Sequence, residues 1–422
     1  VNSGVLNARK WALDLADVLL VAAIILSFAV SAMALTAAGV QYDVAGGPGW
    51  QKLHPATYLG GLAMACRLLG QQRPAHYLQR LSRKFPGAAF FGAMWVSLAV
   101  YSLLVQHAPV SGLIETYLVA LTALISYDDL SLATRQFVRT SLHAILVINA
   151  IVGIVELLTH DRLFPFVING EPVTGDGRST ALFGHPLLNA ATTGAYLLSL
   201  CLGADPQLGP VRRVAIIGLS LLSLFAFGGR TALVLSSAIV GGVLLFKLAM
   251  FFLGARVHLG RVLAIMAVSP ILVLGAAGAA SAGMFDNLLA RFADDSGSAE
   301  TRVIALHLFD LFDTRDVLFG PRSDLLVSAM DKVGIPIGIE NTWIAMIFLY
   351  GALMTAFFVT GLLALFWEYW RRARPGASVL IIYFLIIISS MNGLASKSMI
   401  FIQFSSLLLF MFPREPAASH RT

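Results

Sequence analysis

Residues 15–40 read LADVLLVAAIILSFAVSAMALTAAGV, an apolar stretch interrupted by one charge, Asp17. A helix needs about 20 consecutive apolar residues to cross the hydrocarbon of a bilayer. Arg9 and Lys10 precede the run, and Ser31-Ala32-Met33-Ala34 resembles a signal-peptidase site. The run is too long for the core of a cleaved signal, and further apolar runs follow it. It is read as an uncleaved first membrane helix.

Working outward, similar runs recur at approximately 57–70, 87–107, 110–127, 136–158, 186–203, 211–228, 231–253, 262–283, 343–366, 377–392 and 398–412, which predicts about twelve transmembrane helices. Composition points the same way. The 422 residues are 58% hydrophobic and only 12% charged, where a soluble domain carries about a quarter charged residues. The expected fold class is therefore an all-α polytopic membrane protein. Residues 1–422 form one membrane domain, without an internal repeat, a soluble domain or a low-complexity tail. The net charge of +6 is read as cytoplasmic loops and anionic-lipid contact, not as nucleic-acid binding. Cys66 and Cys201 both fall in apolar segments and suggest no disulfide framework. The nine histidines show no ligand spacing, so no metal and no cofactor are expected.

The basic residues order the topology. Arg9 and Lys10; Arg73, Arg80, Arg83 and Lys84; Arg135 and Arg139; Arg212 and Arg213; Arg256 and Arg261; Arg371, Arg372 and Arg374; and Arg414 and Arg421 all fall on one side if the helices alternate. The positive-inside rule makes that side cytoplasmic, with both termini there. The other side, periplasmic in a bacterium, receives 41–56, 107–110, 159–185, 228–230, 389–398 and a polar interruption at 284–342. That long periplasmic loop holds Asp286, Arg291, Asp294, Asp295, Glu300, Arg302, Arg315, Arg322, Asp324, Lys332 and Glu340. One long charged loop among short connections suggests a functional segment.

Four outer features break the membrane pattern. They are Gly177-Arg178-Ser179-Thr180-Ala181-Leu182-Phe183-Gly184-His185-Pro186, Gly228-Gly229-Arg230-Thr231, Glu300-Thr301-Arg302 before a helical stretch 303–312, and Glu340-Asn341-Thr342-Trp343. A lone loop arginine is ordinarily a solvated or snorkelling residue, and Asn341 or Thr342 would serve equally as a helix cap. Arg230 is more pointed. It opens a helix, and free N–H groups and the dipole at a helix N-terminus bind anions, while a guanidinium adds bidentate phosphate recognition. Outward arginines with one carboxylate suit a diphosphate and the deprotonation of an attacking hydroxyl.

In that order, these motifs resemble the O-antigen ligase and polymerase superfamily, and within it the VpsF-like exopolysaccharide biosynthesis proteins. The resemblance covers residues from about 130 to the end. It implies a fold similar to GT-C membrane glycosyltransferases and metal-independent transfer from an undecaprenyl-diphosphate-linked oligosaccharide to a glycan acceptor at the periplasmic face of the bacterial inner membrane. It places Arg230 and Arg302 on the diphosphate and Glu340 as general base where the ligases have a histidine. Arg178, His185, Arg291 and Asn341 complete the expected substrate-binding set. The Glu-Asn pair favours a polymerase of lipid-linked repeat units. A ligase acting on lipid A–core and a transporter of the same lipid-linked glycan remain as alternatives.

Overall fold

The structure, a computed structural model, describes residues 3–44, 46–168, 171–173, 177–254, 260, 263, 266–267, 270, 273–274, 277–278, 280–281, 301, 303–336 and 338–414. Helix α1 (Ser3–Ala29) opens the chain. It stops at Val30, because Ser31 accepts from the Ala34 N–H at 3.1 Å and caps a separate short helix, α2 (Ala32–Ala37). The run over 15–40, expected as one helix, is thus a helix, a bend and a second turn. Side-chain oxygens of this type compete with the helical ladder for backbone donors.

Then follow α3 (Pro55–Leu69), α4 (Pro74–Lys84), α5 (Pro86–Leu104), α6 (Ser111–Ser126) and α7 (Leu132–Thr159). Proline sits in the first turn of α3, α4 and α5, where its missing N–H costs nothing. Helix α4 lies within what the sequence suggested was a connection; it buries only Tyr77 and Leu81. A two-residue hairpin, Val167–Ile168 with Glu171–Pro172, precedes α8 (Pro186–Cys201), α9 (Pro210–Phe227) and α10 (Arg230–Phe252). After residue 301 come short turns of helix, α11 (Leu308–Leu311), α12 (Thr314–Phe319) and α13 (Ser323–Val333). The chain closes with α14 (Thr342–Tyr350), α15 (Ala352–Arg372), α16 (Ala377–Ile388) and α17 (Ile400–Ser406), the last continuing as a π turn through Met411.

Six described helices are long and apolar enough to cross a membrane: α1 from Asn7, α5, α7, α9, α10 and α15. Their exposed surfaces are greasy, as at Leu244, Leu245, Phe246 and Phe251 on α10. In water such a face would aggregate; in hydrocarbon it is simply the solvent side. Other expected spans are shorter. Helices α3, α6 and α8 have 15, 16 and 16 residues. The expected span at 343–366 is also two helices, broken at Gly351. That residue has φ 82°, and an added Cβ would sit 2.5 Å from the Leu318 carbonyl oxygen, so turn and close approach both require glycine. Most of the expected span at 262–283 lies outside the described residues.

Helix α1 packs along α3, α5 along α15, and α8 against both α9 and α10. Basic residues carried on four of these helices pair with carboxylates at one end of the bundle. Arg67 bridges Asp17 and Asp129, Asp128 is shared by Lys84 at 3.0 Å and Arg372 at 2.8 Å, and Arg139 reaches Asp205 at 3.3 Å. Burial works to raise the Asp128 carboxyl, but Lys84 and Arg372 together hold it below the usual carboxylate range. The connections between the other helix ends converge on the cavity described next.

Candidate active site

A cavity of about 870 Å³ collects residues from five connections expected on one side of the membrane. These include Tyr42, Asp43 and His54; Arg178, Gly184 and His185; Gly228 to Thr231; Thr301 and Gly338 to Glu340; and Ser390 to Gly393 with Ser396 to Met399. Its floor reaches Ser27 on α1 and Gln403 on α17. There Gln403 donates to the Ser27 carbonyl at 2.8 Å and accepts from Thr192 at 2.9 Å, so the polar floor is satisfied inside an apolar bundle.

The Arg178 motif is held from beneath by α7. Glu156, 5% exposed, accepts from the backbone N–H of Leu163, Thr180 and Ala181, each at 2.8 Å. Asn149 accepts from Leu182 N–H at 3.0 Å, and Ser179 donates to the Gly153 carbonyl at 2.6 Å. From α8, Asn189 donates to the carbonyls of Thr180 and His185. The segment from 179 to 182 is therefore irregular but fixed, which presents half-buried Arg178 to the cavity. His185 is the N-cap of α8, accepting from Leu187 N–H at 3.2 Å, with its ring edge-on to Phe166. The cavity residue His185 thus has a capping job as well.

Arg230 stands in the first turn of α10. Gly228 ends α9 in the left-handed region at φ 60°, as a C-cap requires. Gly229 then passes so close to α8 that an added Cβ would lie 2.3 Å from the Ala190 Cβ. Two glycines are needed here for two reasons, turn and contact, and together they bring the N-terminal ends of α8 and α10 to one cavity wall. Both ends carry partial positive charge, and Arg178 and Arg230 add full charges.

Glu340, half-buried, lines the same cavity, just before α14. The three residues after it are committed elsewhere. Asn341 caps α14, accepting from Trp343 and Ile344 N–H at 2.9 and 3.1 Å, and donates to the Ser389 carbonyl at 2.9 Å. Thr342 donates to the Met391 carbonyl at 2.7 Å, and Trp343 to Ser389 Oγ at 2.6 Å. Asn341, expected to orient the base or a substrate, is a cap and a strut outside the cavity lining. Arg302 and Arg291, with the loop from 284 to 300, lie outside the described residues. The structure thus brings together Arg178, His185, Arg230 and Glu340.

Several residues escaped the sequence reading. Asn149 and Glu156 are polar residues within the apolar helix α7, and their separation of seven puts them on one helix face, a signal that both serve one neighbour. Lys397 lies in a connection expected on the outer side, where the positive-inside pattern disfavours a cation. It lines the cavity, donates to the Tyr42 carbonyl at 3.0 Å and lies 5.0 Å from that ring's centre. Asp43 adds a second carboxylate; loss of hydration pushes it up, against the pull of Lys397 and Lys52. Behind them buried Glu115 accepts from Tyr42 OH and from His54 N–H at 2.9 Å. His54 accepts from Ala56 N–H at Nδ1 and meets the Val30 carbonyl at 3.0 Å through Nε2, and burial lowers it to about 4. Comparison with family models, curated proteins and solved structures finds no match for this chain.

Proposed function

We propose that this protein is an inverting membrane glycosyltransferase that polymerises undecaprenyl-diphosphate-linked polysaccharide repeat units. The cavity would face the periplasm from the bacterial inner membrane, with the paired basic end and both termini in the cytoplasm. The observation that carries the reading is one cavity holding Arg178, Arg230 and the N-terminal ends of α8 and α10 together with the carboxylate of Glu340. Guanidinium groups and the positive ends of helix dipoles are what a diphosphate needs.

In the reaction, an acceptor hydroxyl oxygen attacks C1 of the donor sugar. The C1–oxygen bond to the diphosphate breaks, its electron pair leaving on the diphosphate oxygen, and the hydroxyl proton passes to Glu340. Arg230 and Arg178 neutralise the charge that grows on the leaving group, the effect that fixed donors in a dry site supply most strongly. Arg302 is the further arginine suggested by the resemblance. The products are a longer lipid-linked glycan and undecaprenyl diphosphate.

The test is elongation in vitro with the full chain, lipid-linked repeat units and chelator. Wild type should lengthen the glycan; Glu340→Gln should lose at least about 100-fold, the scale of a general base, with unchanged melting. Transfer only to a chemically different acceptor would make it a ligase. Transbilayer movement without any new glycosidic bond would refute the catalytic reading.

A further inference from the structure

The cavity has a second polar wall, built by different elements from the cationic one. It is the irregular segment between α16 and α17, of which Ser390, Asn392, Ser396, Lys397 and Ser398 line the cavity. Its backbone is tied down from behind. Thr116 donates to the Ser396 carbonyl at 3.0 Å, Tyr117 to the Leu394 carbonyl at 2.9 Å, and Thr342 to the Met391 carbonyl at 2.7 Å. With the main chain held by α6 and α14, the wall is irregular but fixed, and its hydroxyls are oriented locally: Ser390 and Ser396 donate to the Ile387 and Asn392 carbonyls, and Ser398 accepts from Ile400 N–H.

The same wall adjoins the carboxylate. Asn341, Thr342 and Trp343 all fasten to Ser389 or Met391, so the residues that follow Glu340 in the chain are tied to the start of this segment. Arg178 and Arg230, by contrast, belong to the entry of α8 and the start of α10. Asn392 adds a separate sign. Its Oδ1 is shielded from solvent and accepts no hydrogen bond among the described residues. Buried polar atoms are rarely left so, and one in a cavity wall marks a demand that a ligand or a side-chain rotation would meet.

We propose that residues 390–398 form the acceptor subsite. This rests on the glycosyltransferase reading and adds the division of labour. The cationic wall would hold the donor diphosphate, and the serine and asparagine wall would hold the hydroxyl-bearing sugar of the incoming glycan beside Glu340. Hydroxyl and amide groups pair with sugar hydroxyls as donor and acceptor alike, and residues 389–399 carry no carboxylate of their own, so the base comes from another element, as Glu340 does. A volume of about 870 Å³ is near the top of the roughly 300–1,000 Å³ of single-ligand sites, in keeping with two partners meeting.

The experiment separates the walls. Undecaprenyl diphosphate carries the leaving group without the sugar, so its binding to the full chain reads the diphosphate contacts and not the sugar subsite. Elongation of lipid-linked repeat units reads both. Asn392→Ala should bind undecaprenyl diphosphate within about twofold of wild type while elongation at low repeat-unit concentration falls about tenfold, the size of one lost polar contact. Asn392→Ser should recover part of it, and Arg230→Gln should lose undecaprenyl diphosphate binding. If Asn392→Ala elongates as wild type, or loses undecaprenyl diphosphate binding in step with elongation, the acceptor subsite is refuted while the polymerase stands. If wild type neither binds undecaprenyl diphosphate nor elongates, the polymerase falls and the subsite with it.

Discussion

Glu156 offers the sharpest test of how the site is held. Its side chain accepts three backbone N–H groups, from Leu163, Thr180 and Ala181, at a position 5% exposed. Glu156→Ala would strand all three donors in a closed space. At about 1 kcal/mol each, the low end for a buried unmet donor, the loss is about 3 kcal/mol. Glu156→Gln keeps one oxygen but turns an NH2 toward one of the donors, so about half that loss is expected. In thermal unfolding of the detergent-solubilised chain, the alanine variant should melt about 3 °C lower and the glutamine variant between it and wild type. Hydrogen exchange should quicken at Thr180 and Ala181 in both, and elongation should fall because Arg178 rides on that segment. Melting within about 1 °C of wild type for both variants, with unaltered exchange at those amides, would refute the account.

His54 makes stability depend on pH. Burial lowers it to about 4 from an ordinary 6.5, so the folded state disfavours the proton that the unfolded chain accepts. Stability should be full above about 6.5, decline below it by up to about 3 kcal/mol, and level off near 4; His54→Gln should flatten that part of the profile in melting experiments. Gly194 lies where an added Cβ would meet Tyr383 Oη at 2.0 Å and Ser236 Oγ at 2.7 Å; Gly194→Ala should destabilise by about 1–3 kcal/mol in the same assay, as overpacking does.

Much of this was legible in one dimension. Hydropathy marks out α1, α5, α7, α9, α10 and α15, because a helix in lipid must be apolar around its whole circumference and long enough to span. The alternation of charged connections grouped the outer segments that the cavity then gathers, and Arg178, Arg230 and Glu340 were picked out by being polar where topology offered no reason for it. The break at Ser31 and the split at Gly351 were not readable from hydropathy, since a capping hydroxyl or a glycine leaves the apolar average almost unchanged.

The sequence by itself determined that this chain is helical and membrane-embedded, and which few polar residues are out of place in it. Only the tertiary structure decided what those residues do. Asn341 and Glu340 are neighbours in sequence, yet one is a cap tied to Ser389 and the other lines the cavity. Asn149 and Glu156, polar in a membrane helix, support a loop some thirty residues on. The physical reason is common to both cases. In a low-dielectric interior each polar group must find a partner, and partners lie on other helices, so its role is fixed by what packs against it.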